Sequence, residues 1–204
     1  MHDAIATTRD LRRALGDRSI VMVGMMGCGK SAIGKRLAQV LDLRFVDADD
    51  EIEKAAGMSI NDIFAQLGES HFRDGERRVI ARLLAGGPQV LSTGGGAFMS
   101  EETRELVKDL GISVWLRAEL TILMRRVMRR DNRPLLKTPN PEAKMRELLA
   151  LRNPIYALAD ITVESRDISH DVIVNEILAK LDAGPLATSA PTMPTALPPE
   201  GSST

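Results

Sequence analysis

Residues 24–31 read Gly-Met-Met-Gly-Cys-Gly-Lys-Ser. Glycines at 24 and 29, followed at once by Lys30 and Ser31, match the G-x-x-x-x-G-K-[ST] spacing of a phosphate-binding loop. Glycines let the backbone curl until successive N–H groups face one point. The helix that follows adds its unpaired N–H groups and the positive end of its dipole. A lysine placed there reaches the β- and γ-phosphates, and the serine hydroxyl is a ligand for Mg²⁺. Gly27, Cys28, Gly29, Lys30, Ser31 and Ala32 are therefore the candidate triphosphate-binding residues, with Lys30 also a catalytic candidate and Cys28 a small neutral filler. The loop alone specifies a nucleoside triphosphate. It leaves GTPase, ATPase and small-molecule kinase open.

A second set lies at Phe45-Val46-Asp47-Ala48-Asp49-Asp50. Asp47 and Asp49 are two apart, so in an extended chain their side chains point the same way. The C-terminal end of a strand is where open α/β sheets bind ligands. A solvated acidic cluster capping a helix accounts for the pair equally well.

These residues need elements to hold them. Ser19–Val23 is a short apolar run that reads as a strand, and Lys30–Leu41 carries Ile33, Leu37, Val40 and Leu41 on one helical face. Arg44–Val46, Gln89–Ser92, Ser113–Leu116 and Ile161–Val163 read as further strands. Helical patterns fall at Asp49–Ala56, Ser59–Gln66, Glu69–Leu84, Glu101–Leu110, Glu119–Met128, Glu142–Leu151 and Asp171–Leu181. Strands alternating with helices predict an α/β fold of three layers, with a central parallel five-stranded sheet between helices. Residues 1–18 read as a polar N-terminal extension with a short helical pattern at Leu11 and Leu15. Residues 19–182 form the folded domain, with a basic, proline-containing lid near 129–140. Residues 183–204 are rich in Pro, Ser, Thr and Ala and are expected to be disordered.

Composition narrows the partners. The 204 residues carry a formal net charge of −1, which gives no broad basic field for nucleic acid. No apolar run approaches the roughly 18 residues of a membrane span. One cysteine makes no internal disulfide framework, and the leader lacks a secretory apolar segment, so a reducing cytoplasm is expected. His2, His71 and His170 sit at no metal-ligand spacing and receive no role. Trp115 and Tyr156 read as packing residues.

The chain resembles the shikimate kinases, which are small P-loop kinases of the nucleoside monophosphate kinase-like fold, from about Ser19 to Leu181. The motifs occur in family order: the phosphate loop, Asp47-x-Asp49, Phe72-Arg73, Gly94-Gly95-Gly96 after a strand, Asn132-Arg133-Pro134-Leu135-Leu136, and Arg152-Asn153-Pro154-Ile155-Tyr156. The resemblance implies transfer of the ATP γ-phosphate to the 3-hydroxyl of shikimate, in chorismate and aromatic amino acid biosynthesis, by a monomer. It implies that Arg73 and Arg152 bind the carboxylate, a pairing that guanidinium forks make strong and oriented. It further implies that Asp49 accepts from the ring hydroxyls and is catalytic, and that Gly94, Gly95 and Gly96 bring backbone to the substrate. The same resemblance implies that Asp47 joins Ser31 at Mg²⁺ through water, and that Arg133 contacts ATP and stabilises the transferred charge from the lid. Arg126 is a further candidate for contact with adenine or phosphate, while Arg125, Arg129 and Arg130 read as a solvated basic helix end. Ala32 stands where the family often has Thr.

Taken singly, the residues have plainer explanations. Arg73 is better explained alone by ion pairs with Glu69 or Glu76 on its own helix, and Arg152 by a surface helix end. Another small-molecule kinase, such as a gluconate or nucleotide kinase, is the alternative enzyme. A GTPase-like switch would carry a guanine-reading N-K-x-D motif, which the sequence lacks.

Overall fold

The computed structural model describes residues 7–128 and 138–187. Five strands form one sheet in the order β2-β3-β1-β4-β5. They are β1 (Ser19–Val23), β2 (Phe45–Asp47), β3 (Val90–Ser92), β4 (Gly111–Arg117) and β5 (Ile161–Glu164), and every pairing is parallel. β1 is buried along its whole length, as a central parallel strand covered on both faces must be. Its side chains divide by alternation. Ile20 and Met22 enter one core cluster, Val21 and Val23 the other.

The first core layer is built by α1 (Thr8–Leu15), α2 (Lys30–Val40), α7 (Leu120–Val127), α8 (Pro141–Tyr156) and α9 (His170–Ala183). The second holds α3 (Ala48–Ala56), α4 (Ile60–Gln66), α5 (Gly68–Ala85) and α6 (Glu101–Leu110). The expected α/β/α architecture is present. Strand β1 leads into α2 on one face, whereas β3 leads through the short 3₁₀ turn Ala97–Met99 into α6 on the other. Adjacent strands whose connections leave to opposite faces open a crevice at their C-terminal ends.

Three elements differ from the sequence reading. Asp47 ends β2 and caps α3, accepting from the Asp49 amide at 3.2 Å, so the helix expected from Asp49 is present and the extended geometry weighed for the Asp47–Asp49 pair does not hold. A carboxylate two residues before a free amide is a strong N-cap, and it ends the extended geometry at residue 47. Helix α8 does not stop at Leu151 but runs through Pro154 to Tyr156. The backbone bond lost at the proline is offset by burial of Arg152 and Tyr156 on that last turn. Segment 1–18 holds α1, opened by a Thr7–Asp10 capping box, with Leu11 and Leu15 sunk in the first core layer. At the other end, Leu186 follows α9 and is buried in the same layer, beyond the boundary expected at 182. No helix among the described residues is long and apolar enough to cross a membrane.

Leu15 is 1% exposed, so Leu15→Ala should cost about 2–4 kcal/mol through lost transfer energy and a cavity. Urea denaturation measures this. A change under about 0.5 kcal/mol, the range of an exposed surface site, would mean α1 is not part of the cooperative core.

Candidate active site

The phosphate loop leaves the end of β1 and enters α2 at Gly29, which has φ +100°. Gly27 has φ +85°, and a Cβ there would lie 2.7 Å from Val127 Cγ2, so the turn closes only with glycine. Lys30 Nζ donates to the carbonyls of Gly24 at 2.8 Å and Met25 at 3.1 Å. The Ser31 hydroxyl donates to Asp47 Oδ2 at 2.8 Å and lies 3.4 Å from Ser92 Oγ. Asp47 thus uses one oxygen to cap α3 and the other to meet the loop serine. A cavity of about 390 Å³ is lined by Gly27, Gly29, Lys30, Ser31, Ala32 and Asp47, and continues past Arg126 to His170. Cys28 does not line it. Its side chain is fully buried beneath the loop.

A second cavity of about 400 Å³ lies between α3, α4 and α5 on one side and the glycine turn on the other. Arg73, Glu76, Arg152, Gly94, Gly95 and Gly96 line it. Asp49, Met26, Gly94 and Gly95 line both cavities, so the two spaces meet at the Asp49 carboxylate.

The cations here are held from behind. Arg73 donates to Glu76 Oε2 at 2.7 Å and to Glu69 Oε1 at 3.2 Å, so both ion pairs considered from sequence form on this helix. These pairs orient the guanidinium toward the cavity. A Cβ on Gly96 would fall 2.5 Å from Arg73 Nη1, so a side chain there would push the guanidinium from its present position. Arg152 is 8% exposed, which excludes a surface helix end, and its Nη1 donates to the Gly95 carbonyl at 3.2 Å. The Tyr156 hydroxyl donates to the same carbonyl. Tyr156 therefore does more than pack, although its ring does lie 5.9 Å from that of Trp115. Burial pushes its phenol far above the ordinary value, so it stays a donor at neutral pH.

Glu76 is the residue that sequence reasoning left as a mere ion-pair partner. It is 2% exposed, and burial pushes its carboxyl above the ordinary range. Arg73 opposes that rise and the Asp49 charge adds to it. Its Oε1 has no hydrogen-bond partner among the described residues, and a Cβ on Gly94 would sit 2.8 Å from it. His170, given no role from sequence, lines the first cavity from the start of α9. His170 belongs to no local motif and Glu76 stands only at the end of the Arg73 segment, so the fold alone places them at the two cavities. Arg133 and most of the expected lid lie outside the described residues.

The oxygens of Ser31 and Asp47 fit a hard cation such as Mg²⁺, which keeps several waters and takes the rest of its shell from phosphate. Such a site needs few protein ligands. Among the described residues no group of three or more His, Cys, Asp or Glu is placed to hold a metal.

Known proteins resemble this chain in sequence and in fold. The family model for shikimate kinase matches residues 26–182. A shikimate kinase of Bradyrhizobium diazoefficiens is 59% identical over 174 residues, covering 85% of this chain and 84% of that protein. The solved structure of shikimate kinase from Acinetobacter baumannii in complex with shikimate aligns with a TM-score of 0.77 at 38% identity, covering 82% of this chain and 94% of its own. A gluconokinase from Sinorhizobium meliloti aligns with a TM-score of 0.53 at 20% identity, over 82% of this chain and 93% of its own, a likeness of fold alone.

The raised carboxyl of Glu76 has a consequence for stability. Its folded-state value lies above the ordinary 4.5, so the native state keeps a proton that the unfolded chain releases as pH rises. The contribution favours folding at low pH and is lost as pH climbs through the folded value. Each tenfold difference in proton affinity between the two states is worth about 1.4 kcal/mol. The difference in urea midpoint between wild type and Glu76→Gln should shift against the wild type as pH rises from the ordinary carboxylate range through the folded-state value, and stay constant above it. A difference that stays constant from the ordinary carboxylate range upward would mean that the Glu76 carboxyl is not raised in the folded state.

Proposed function

This chain belongs to the shikimate kinase family, and from that premise we propose that it transfers the γ-phosphate of ATP to the 3-hydroxyl of shikimate, giving 3-phosphoshikimate and ADP. The observation that carries the reading is the meeting of the two cavities at Asp49. One has the chemistry of a triphosphate site. The other has two arginines held from behind, which suits a small molecule bearing one carboxylate and several hydroxyls.

Each residue then has a task. The backbone amides of Gly27–Ser31 receive the phosphates and Lys30 neutralises them. Ser31, with Asp47 through water, would hold Mg²⁺, which when bound spreads the negative charge of the phosphate oxygens. Arg73 and Arg152 take the substrate carboxylate in charge-assisted pairs. That fixes the ring, so that one hydroxyl meets Asp49, which accepts its hydrogen bond and orients the oxygen toward the γ-phosphorus. The hydroxyl oxygen bonds to phosphorus as the bond to the ADP oxygen breaks, and the hydroxyl proton passes to the Asp49 carboxylate, which releases it to solvent. Gly94, Gly95 and Gly96 leave room for substrate against backbone. Arg133 is the proposed lid cation that balances charge on the transferring group and shields it from water. A cytoplasmic monomer in aromatic amino acid biosynthesis, acting on neither nucleic acid nor membrane, is the setting this reading gives the protein.

A coupled assay for ADP, with ATP and a panel of shikimate, gluconate and nucleoside monophosphates, tests the acceptor. ADP release that depends on shikimate is expected. Release that depends on gluconate instead would install the alternative. Asp49→Asn should lower kcat by about 10²-fold or more. Arg73→Ala should raise the shikimate KM by roughly 10- to 100-fold, since a charged hydrogen-bond pair is lost, while the ATP KM stays near wild type. An unchanged shikimate KM would remove Arg73 from the carboxylate site. Arg133→Ala should abolish turnover with the fold intact, as judged by circular dichroism.

A further inference from the structure

Ser165 lies just past β5, is 1% exposed, and belongs to none of the motifs described above. Its amide donates to the Arg117 carbonyl at 2.6 Å, which ties it to the end of β4. Its hydroxyl donates to the Cys28 carbonyl of the phosphate loop at 2.6 Å, across 137 residues of sequence. The same oxygen accepts from Arg126 Nη1 at 2.8 Å. Arg126 is braced further by the Arg166 carbonyl at 2.8 Å and by Asp167 Oδ1 at 3.0 Å, and Asp167 also pairs with Arg125. One buried hydroxyl thus joins the phosphate loop to the last turn of α7, the helix that leads into residues 129–140.

The consequence for the loop follows from the peptide bond. A trans peptide is planar, and its C=O and N–H point in opposite directions. Holding the Cys28 carbonyl on the Ser165 side turns the Gly29 N–H the other way. Gly29 lines the first cavity, and a phosphate loop works only if its amides converge on one point. The second half of the link sets Arg126, whose guanidinium lines the same cavity. With its nitrogens held by Ser165, Arg166 and Asp167, that guanidinium has one orientation to offer a nucleotide.

We propose that Ser165 is a positioning residue for the nucleoside triphosphate: through one oxygen it sets the direction of the Gly29 amide and the placement of Arg126, and so joins the phosphate loop and the stem of α7 into one nucleotide-binding unit. The inference rests on the reading of this cavity as the ATP site. It is independent of which acceptor receives the phosphate.

The test measures nucleotide binding directly, by calorimetric titration of the full chain with a non-hydrolysable ATP analogue, and shikimate binding separately without nucleotide. Ser165→Ala should weaken the analogue's Kd by about tenfold, the scale of one hydrogen bond in a buried network, with shikimate binding within about twofold of wild type. Ser165→Thr keeps the hydroxyl and should restore affinity to within about threefold. Asp167→Asn, at a half-exposed site, loosens the Arg126 brace and the Arg125 pair but leaves the Ser165 link to Cys28 in place, so it should weaken nucleotide binding less than Ser165→Ala. It also serves if the alanine variant fails to fold. Nucleotide affinity unchanged in Ser165→Ala, or in Asp167→Asn where the alanine variant does not fold, overturns the proposal. So does a loss shared equally by both ligands, which would mark a purely structural serine. A wild type that binds no ATP analogue would instead overturn the assignment of the cavity.

Discussion

The site rests on the close approach of two backbone turns, one leaving β1 and one leaving β3. Strands β1 and β3 are hydrogen-bonded neighbours, so their C-terminal ends emerge side by side. A Cβ on Gly95 would stand only 3.5 Å from the Met26 amide nitrogen and 3.6 Å from the Gly24 carbonyl oxygen. The phosphate loop and the glycine turn therefore lie side by side, with space between them at Gly95 for about a methyl group. Asp49 reaches the same junction from the cap of α3. Parallel pairing thus fixes the spacing of the two cavities before any side chain is chosen.

Around that junction the protein gathers charge under cover. Arg152 and Glu76 are both buried, Arg73 is half-buried, and Asp49 is near enough to raise the Glu76 carboxyl. Such a cluster is weak evidence for stability, because desolvating ions costs several kcal/mol each. Its value is geometric. Glu69 and Glu76 hold Arg73, while the Gly95 carbonyl, itself pinned by Tyr156, holds Arg152. The guanidinium groups meet a ligand already oriented, so little side-chain freedom remains to be lost on binding.

Legibility in the sequence followed range. The phosphate loop, the buried run of β1 and the strand–helix alternation are local patterns, and the structure shows the predicted α/β layers. Segment-level errors came where a tertiary contact outweighed a local rule. Pro154 should have ended α8, but Tyr156 is buried against Gly95 some 61 residues away. The Asp47–Asp49 spacing suggested strand alternation, yet a capping bond started the helix first. Leu11 and Leu15 looked like a short pattern in a polar leader, and only their burial makes α1 part of the core. Glu76 was visible solely as an i+3 neighbour of Arg73. Ser165 and His170 had no local signal at all, since what they touch is brought to them by the closing of the sheet.

Cys28 is the single cysteine of the chain, and its side chain is sealed from solvent under the phosphate loop. A thiol introduced anywhere on the surface is then the one position open to maleimide chemistry. Pairs of spectroscopic reporters can be attached on either side of the crevice without first removing a native cysteine, so distances across it are open to direct measurement in the unaltered phosphate loop.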